Sequence, residues 1–250
     1  MNAVVGRDRR GALVTGAGRG IGLATAQALA EDGFAVALCD VLPEEGRQAA
    51  ESLRQAGHTA VFVELDVRSS ASVAAGVEEA ATALGGLDVA VNNAGVRAVA
   101  AVADLSDEDW DRVIDVNLTG VFRCMRAQVP HLLPRQGSII NVASIWGLAG
   151  WPTRSAYVAA KHGVVGLTRS AAREYGAAGL RVNAVAPGPI GTDAAVATVG
   201  GTSPEMEAVV GRTAMGRLGR PEEVAGAVVW LASAPYVTGE VLAVDGGWGA

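Results

Sequence analysis

A chain of 250 residues is long enough for one large core, and layered α/β folds reach about that length as one unit, so a single domain is expected over 1–250. Half of the residues are apolar, but charge or glycine interrupts every apolar run before the roughly 20 residues that a membrane span needs, so a water-soluble, cytoplasmic protein without a membrane partner is expected. The net charge of -6 comes without a basic tract, which argues against a nucleic-acid partner.

Arg7, Arg9 and Arg10 precede the first apolar stretch, but Gly16, Gly18, Arg19 and Gly20 break it, so it makes a poor signal peptide, and 1–10 reads as a loose extension. Ala12 to Val14 is a first strand that runs into a glycine-rich turn, and Ile21 to Ala30 is a helix that stops near Gly33. Phe34 to Asp40 is a short buried strand, and Pro43, Glu44 and Glu45 open an Ala-rich helix that ends before Gly57. Val61 to Asp66 is the third strand, Ser72 to Leu84 the third helix, and Leu87 to Asn92 the fourth strand. Ser106 with Asp109 resembles a capping box opening a long helix to about Pro134. Ser138 to Val142 is a strand, Ser155 to about Tyr175 a helix, Leu180 to Ala186 a strand, and Val241 to Val244 a short last strand. Ser203 with Pro204, and Pro221 with Glu222 and Glu223, open two further helices, the second running to about Ala232.

The strands are continuous apolar runs between helices, the pattern of a parallel sheet covered on both faces. The expected fold is therefore a doubly wound Rossmann arrangement, with a seven-stranded parallel sheet and helices on both sides. Residues 188–215 include a glycine-rich interruption, Gly188 to Gly201, and read as a substrate loop or lid. Cys39 and Cys124 lie in no metal-ligand spacing and read as buried small hydrophobes; His58, His131 and His162 are scattered, so no metal site is expected.

Gly16, Gly20 and Gly22 stand in a G-x-x-x-G-x-G turn between the first strand and the first helix, where free backbone N–H groups and the helix dipole can hold a pyrophosphate. The more familiar G-x-G-x-x-G spacing is not met. Asp40 follows Gly22 by 18 residues at the end of the second strand, where a carboxylate accepts hydrogen bonds from ribose hydroxyls and repels a 2′-phosphate. That favours NAD over NADP, although a guanidinium at Arg19 is also able to approach a 2′-phosphate. Tyr157 and Lys161 are four apart on one helix and share a face, so the ammonium favours the phenolate; Ser144 ends the fifth strand, at the sheet edge where such folds bind ligands.

These motifs, with Asn92-Asn93-Ala94-Gly95 after the fourth strand, Asn117 in the long helix and Pro187-Gly188 after the sixth strand, resemble the short-chain dehydrogenase/reductase family from about Gly11 to Gly247. The resemblance implies a catalytic tetrad. Tyr157 would be the acid-base, Lys161 would bind the nicotinamide ribose and lower the Tyr157 pKa, Ser144 would orient the substrate oxygen, and Asn117 would support a proton relay through water. It further implies that Asp66 and Val67 flank the adenine, that Asn93, Ala94 and Gly95 line the cofactor together with Ile21, Pro187 and Gly188, and that Ile190 and Thr192 meet the carboxamide. The expected activity is hydride transfer between NAD and a small-molecule secondary alcohol or ketone. Trp146, Leu148, Trp151, Val196, Val199 and Met206 suggest an apolar pocket for an alicyclic or aromatic substrate, or else simply pack the subunit. Two other readings stand beside this one: an NADPH-dependent reductase of 3-oxoacyl thioesters, and a catalytically silent module that senses the dinucleotide. Relatives are commonly homotetramers built through the long helices and the C-terminal strand, which implies a tetramer here.

Overall fold

The structure, a computed structural model, describes residues 10–192 and 204–250. Seven parallel strands form one sheet: β1 (Arg10–Thr15), β2 (Phe34–Asp40), β3 (Ala60–Glu64), β4 (Val89–Asn92), β5 (Ser138–Val142), β6 (Arg181–Pro187) and β7 (Val241–Val244). Their order is β3-β2-β1-β4-β5-β6-β7. The helices are α1 (Gly20–Glu31), α2 (Pro43–Gln55), α3 (Ser70–Leu84), α4 (Asp107–Ile114), α5 (Gly120–Leu132), α6 (Ser155–Tyr175), α7 (Pro204–Val210) and α8 (Pro221–Ser233).

Successive strand residues point to opposite faces, and both faces are apolar, so the sheet makes two cores. Leu13, Ala37, Ala90, Ile139 and Val182 face a layer built from α3, α5 and α6. Val14, Leu38, Val91, Ile140 and Val185, of the opposite alternation, face a second layer that contains Ala26 and Leu29 of α1, Ala50 and Leu53 of α2, and Val228 and Leu231 of α8. This is the doubly wound fold that the uninterrupted apolar runs predict. Cys39 and Cys124 are both free and buried in the first core, and burial pushes both thiols up, Cys124 to about 12.

Strand order reverses between β1 and β4, where Thr15 pairs with Asn92, so the chain leaves these two strands in opposite directions and opens a crevice at their C-terminal ends. A third apolar cluster, of Val113, Ile145, Trp146, Ala156, Tyr157, Val209 and Trp248, lies outside the two sheet cores.

The structure corrects several boundaries. Arg10 already belongs to β1, pairing with Phe34, so the expected extension is shortened at its end; 1–9 lie outside the described residues. β3 ends at Glu64 because the Asp66 amide turns away to donate to Ser72 Oγ. β4 starts at Val89, two residues late, and β6 runs through Pro187. Within the expected substrate loop, α7 covers Pro204–Val210, whereas 193–203 lie outside the described residues.

The long helix expected from Ser106 to Pro134 is interrupted. Ser106 Oγ does accept from the Asp109 amide, but the Asp109 carboxylate pairs with Arg112 instead of closing a capping box. The helix then widens into a π turn over Asp115–Thr119. Asn117 supplies the cause: its side-chain Nδ2 donates to the Val113 carbonyl, the acceptor that the α-helical ladder would give to the Asn117 amide. After α5 a single 3₁₀ turn, Leu133–Arg135, completes the segment.

Candidate active site

The turn after β1 is shaped by close approach. Gly16 sits at φ +64°, and a Cβ on Gly22 would overlap the Gly16 carbonyl oxygen, so the helix α1 can start directly against the turn only if position 22 is glycine. The first amides of α1 have no earlier helical carbonyls to meet and point, with the dipole, into the crevice. Asn93 Nδ2 clamps the turn from the neighbouring strand end, donating to the carbonyls of Thr15 and Gly16, while Thr15 Oγ1 accepts the amides of Asn93 and Ala94.

These residues line a cleft of about 420 Å³. Of the residues assigned to the cofactor from sequence, Gly16, Arg19, Gly20, Ile21, Asp40, Asp66, Val67, Asn93, Ala94, Gly95 and Thr192 all meet there. Gly22 stands behind Gly16 rather than on the wall. The Asp40 carboxylate is held at 2.8 Å by the Gly18 amide and at 3.2 Å by the Leu42 amide, a fixed acceptor on the cleft wall. Leu42, Leu65, Arg68, Arg112 and Val116 also line the cleft and were missed; their closeness in sequence to Asp40, Asp66 and Asn117 is the signal that could have found them. Arg68 and Arg112 are paired with Asp66 and Asp109. The Arg68 guanidinium beside Asp66 holds that carboxyl below its usual value.

Pro187, Gly188 and Ile190 take a separate place. Gly188 donates to Val244 O and Ile190 bridges to Gly219, and both line a smaller cavity of about 100 Å³ with Met215, Arg217 and Glu223. Thr192, facing Gly20, is the point at which this segment reaches the larger cleft.

The four residues of the expected tetrad come from three places: Asn117 from the π turn, Ser144 from the end of β5, and Tyr157 and Lys161 both from α6. Ser144 caps the short 3₁₀ turn Ile145–Gly147 after β5, its Oγ accepting the Trp146 amide. Tyr157 is in the first turn of α6, and Lys161 lies one turn on, with Nζ 5.5 Å from the Tyr157 ring centroid and donating to Val142 O at 2.7 Å. Both are buried. Burial alone pushes the Tyr157 phenol up; the charges of Lys161 and Arg97, with hydrogen bonds from Arg97 and Ser144, outweigh it and leave the group below its ordinary value. Burial lowers the Lys161 ammonium, with Tyr157 opposing and Arg97 reinforcing that shift.

Asn117 is fully buried, and its side-chain amide is already committed: Nδ2 donates to Val96 O and Val113 O, and Oδ1 accepts the Val96 amide. The side chain therefore braces the loop after β4 against the π turn, and any water relay at this position would have to run through the backbone.

The apolar residues suggested as a substrate pocket divide. Trp146 stacks on Trp151 at 5.7 Å between centroids and meets Tyr157 edge-on at 6.1 Å, whereas Leu148 is exposed. Val196, Val199 and the side chain of Met206 lie outside the described residues. Sequence reasoning missed two features here. Trp248 returns from the chain end to within 5.9 Å of Trp151. Arg97 reads in sequence as an ordinary loop arginine, yet it lies 5.5 Å from the Tyr157 ring and 5.9 Å from the Trp146 ring.

Residues 16–249 match the family model described as enoyl-(acyl carrier protein) reductase. The chain is 48% identical over 246 residues to cis-4-hydroxycyclohexanecarboxylate dehydrogenase of Sinomonas cyclohexanicum, a match covering 96% of this chain and 97% of that one. It is 40% identical over 243 residues to a 3-oxoacyl-(acyl-carrier-protein) reductase of Staphylococcus aureus, covering 95% and 97%. Among solved structures, a dehydrogenase/reductase from Sinorhizobium meliloti 1021 superposes with a TM-score of 0.90 at 38% identity, covering 96% and 95%. The glycine turn, the reversed strand order and the Ser144, Tyr157 and Lys161 grouping agree with these likenesses: the chain belongs to the short-chain dehydrogenase/reductase family and is an oxidoreductase.

Proposed function

We propose that residues 1–250 act as one dinucleotide-binding and catalytic unit that oxidises a secondary alcohol, or reduces the matching ketone, with NAD. The observation that carries this is the Tyr157 phenol set between Lys161 and Ser144, beside a cleft whose glycine turn leaves room for phosphates and whose wall carries a fixed Asp40 carboxylate. In that cleft the turn Gly16–Gly22 would hold the pyrophosphate and Asp40 the adenosine ribose, while Asp66 and Val67 flank the base. When bound, the nicotinamide supplies the hydride acceptor or donor. Ser144 then orients the substrate oxygen, and Tyr157 takes its proton during oxidation or returns one during reduction. Lys161, anchored on Val142 O, is held against the phenol, where its ammonium favours the phenolate.

Asp40 is what supports NAD over NADP, since a 2′-phosphate would meet its negative charge. Trp146 and Trp151, stacked on one another beside Tyr157, make that end of the site apolar, which suits an alicyclic ring, and the relative from Sinomonas is named for a hydroxycyclohexanecarboxylate. Arg19, exposed on the cleft rim, favours the second reading, an NADPH-dependent reductase of 3-oxoacyl thioesters like the Staphylococcus relative. The test is a steady-state comparison of NADH and NADPH against cyclic ketones and 3-oxoacyl thioesters. Higher kcat/KM for NADH with cyclic ketones is expected; the reverse preference would move the chain to the second reading. Absence of turnover with every pair would leave the silent dinucleotide-sensing module.

A further inference from the structure

The aromatic cluster around Tyr157 is rich in cations and hydrogen-bond donors. Arg97 and Arg154 stand over the Trp146 ring at 5.9 and 5.8 Å, and Arg212 over Trp248 and Trp151 at 4.3 and 5.8 Å. In a chain of net charge -6 this is an uneven placement. Among the described residues, Arg97 and Arg212 pair with no carboxylate, although most other arginines with a printed contact do. Trp146 Nε1 and Trp248 Nε1 are buried donors that meet no acceptor. A buried donor left unmade is costly, and the cluster holds an excess of donors over acceptors that a ligand with lone pairs would offset.

Arg97 alone of the three arginines reaches Tyr157. Its loop is not free to drift, because Asn117 grips the backbone of Val96 from both sides and Arg112 donates to the Arg97 carbonyl. A guanidinium forks onto a carboxylate with two parallel hydrogen bonds, and it is less strongly hydrated than an ammonium, so it can exchange water for such a partner beside an aromatic wall.

We propose that Arg97 is the anchor for a carboxylate on the substrate, which makes the substrate class a hydroxy acid or oxo acid whose apolar body lies on Trp146 and Trp151. The proposal rests on Tyr157 marking the reacting end of the site. Arg97, which gives one hydrogen bond to Tyr157, turns its remaining N–H groups to the acid while the hydroxyl-bearing carbon meets Tyr157 and Ser144 beside it, so a neutral alcohol of the same shape loses its orientation as well as its affinity.

The test reads binding rather than turnover. Cyclohexanecarboxylate and cyclohexanecarboxamide are titrated against tryptophan fluorescence with NAD present, in the unaltered protein and in Arg97→Met, Arg97→Lys and Tyr157→Phe. The acid should bind about tenfold or more tightly than the amide in the unaltered protein, a gap that shrinks in high salt. Arg97→Met should bring the two within about twofold, and Arg97→Lys should keep part of the gap as a point charge without the fork. No preference for the acid, or a preference that survives Arg97→Met, overturns the proposal. Tyr157→Phe should retain the preference, so the anion site is judged separately from proton transfer: full turnover in Tyr157→Phe would sink the proposed chemistry while leaving the binding result to stand on its own.

Discussion

Tyr157 is a buried phenol with cations on two sides, and that arrangement sets its pH behaviour. Burial raises its pKa, but Lys161 and Arg97 together with the hydrogen bonds lower it further than burial raises it. Oxidation of an alcohol needs the phenolate, so its kcat/KM should rise with pH through an apparent pKa below the usual value of about 10; reduction needs the phenol and should fall through the same limb. Replacing Tyr157 by Phe keeps the ring against Trp146 and removes the proton carrier, so turnover should drop by about 10²–10⁴-fold with dinucleotide binding retained. Lys161→Met, which removes the stronger of the two charge influences on the phenol, should move the limb upward. A pH–rate profile read with both cofactor directions checks all of this, and a limb that stays in place in Lys161→Met would remove Lys161 from the proton-transfer group. These residues were legible in sequence because their spacing is fixed by one helix. Arg97 was not, since nothing in a loop sequence says which way a guanidinium turns.

On the face of the sheet covered by α5 and α6, four elements are tied by buried amides and a hydroxyl. Asn92 on β4 donates to Asn141 on β5 and exchanges hydrogen bonds with Gln128 on α5, and Asn141 donates to Thr168 on α6, which donates to the Val164 carbonyl. All four side chains are buried. The network joins the strand ahead of Asn93 and the strand ahead of Ser144 to the helix that carries Tyr157 and Lys161, so it fixes the spacing between the cleft proposed for the cofactor and the pair proposed for proton transfer. Thr168→Val keeps the volume but takes away the acceptor for Asn141 Nδ2, whose other contact is the Met125 sulfur at 3.5 Å, a weak acceptor. Stability should fall by about 1–3 kcal/mol, which is about 2–12 °C in Tm for a chain of this size. A calorimetric scan showing no loss would mean that the amide finds another partner. The sheet itself was readable because strands buried on both faces are written as unbroken apolar runs. The π turn at Asp115–Thr119 was not, because its cause is a side-chain bond from Asn117 that forms only when the Val96 loop is already in place. The return of Trp248 onto Trp151 was equally hidden, since it depends on where the last strand lies in the sheet rather than on any local pattern.

At the scale of the whole molecule, several large apolar side chains lie on the outside. β7 is the last strand of the sheet, its side chains only partly covered, and an edge strand with apolar residues invites pairing with another chain. Trp110 on α4 and Phe122 on α5 are 40% and 45% exposed, and Trp230 on α8 is 52% exposed. Among the described residues no helix is long and apolar enough to cross a membrane, so these surfaces are not lipid anchors of that kind. Two apolar surfaces, one on the α4–α5 side and one at the β7 edge, are what a tetramer of dihedral symmetry requires, because each copy in it uses two different self-complementary interfaces. Light scattering at micromolar concentration should therefore give the mass of four 25.3 kDa chains. Phe122→Asp should break only the α5 interface and leave a species of half that mass, still paired through β7, with the sheet intact by circular dichroism. A monomer in the unaltered protein would show that both surfaces are simply exposed, and a tetramer that persists in Phe122→Asp would place the second interface away from α5.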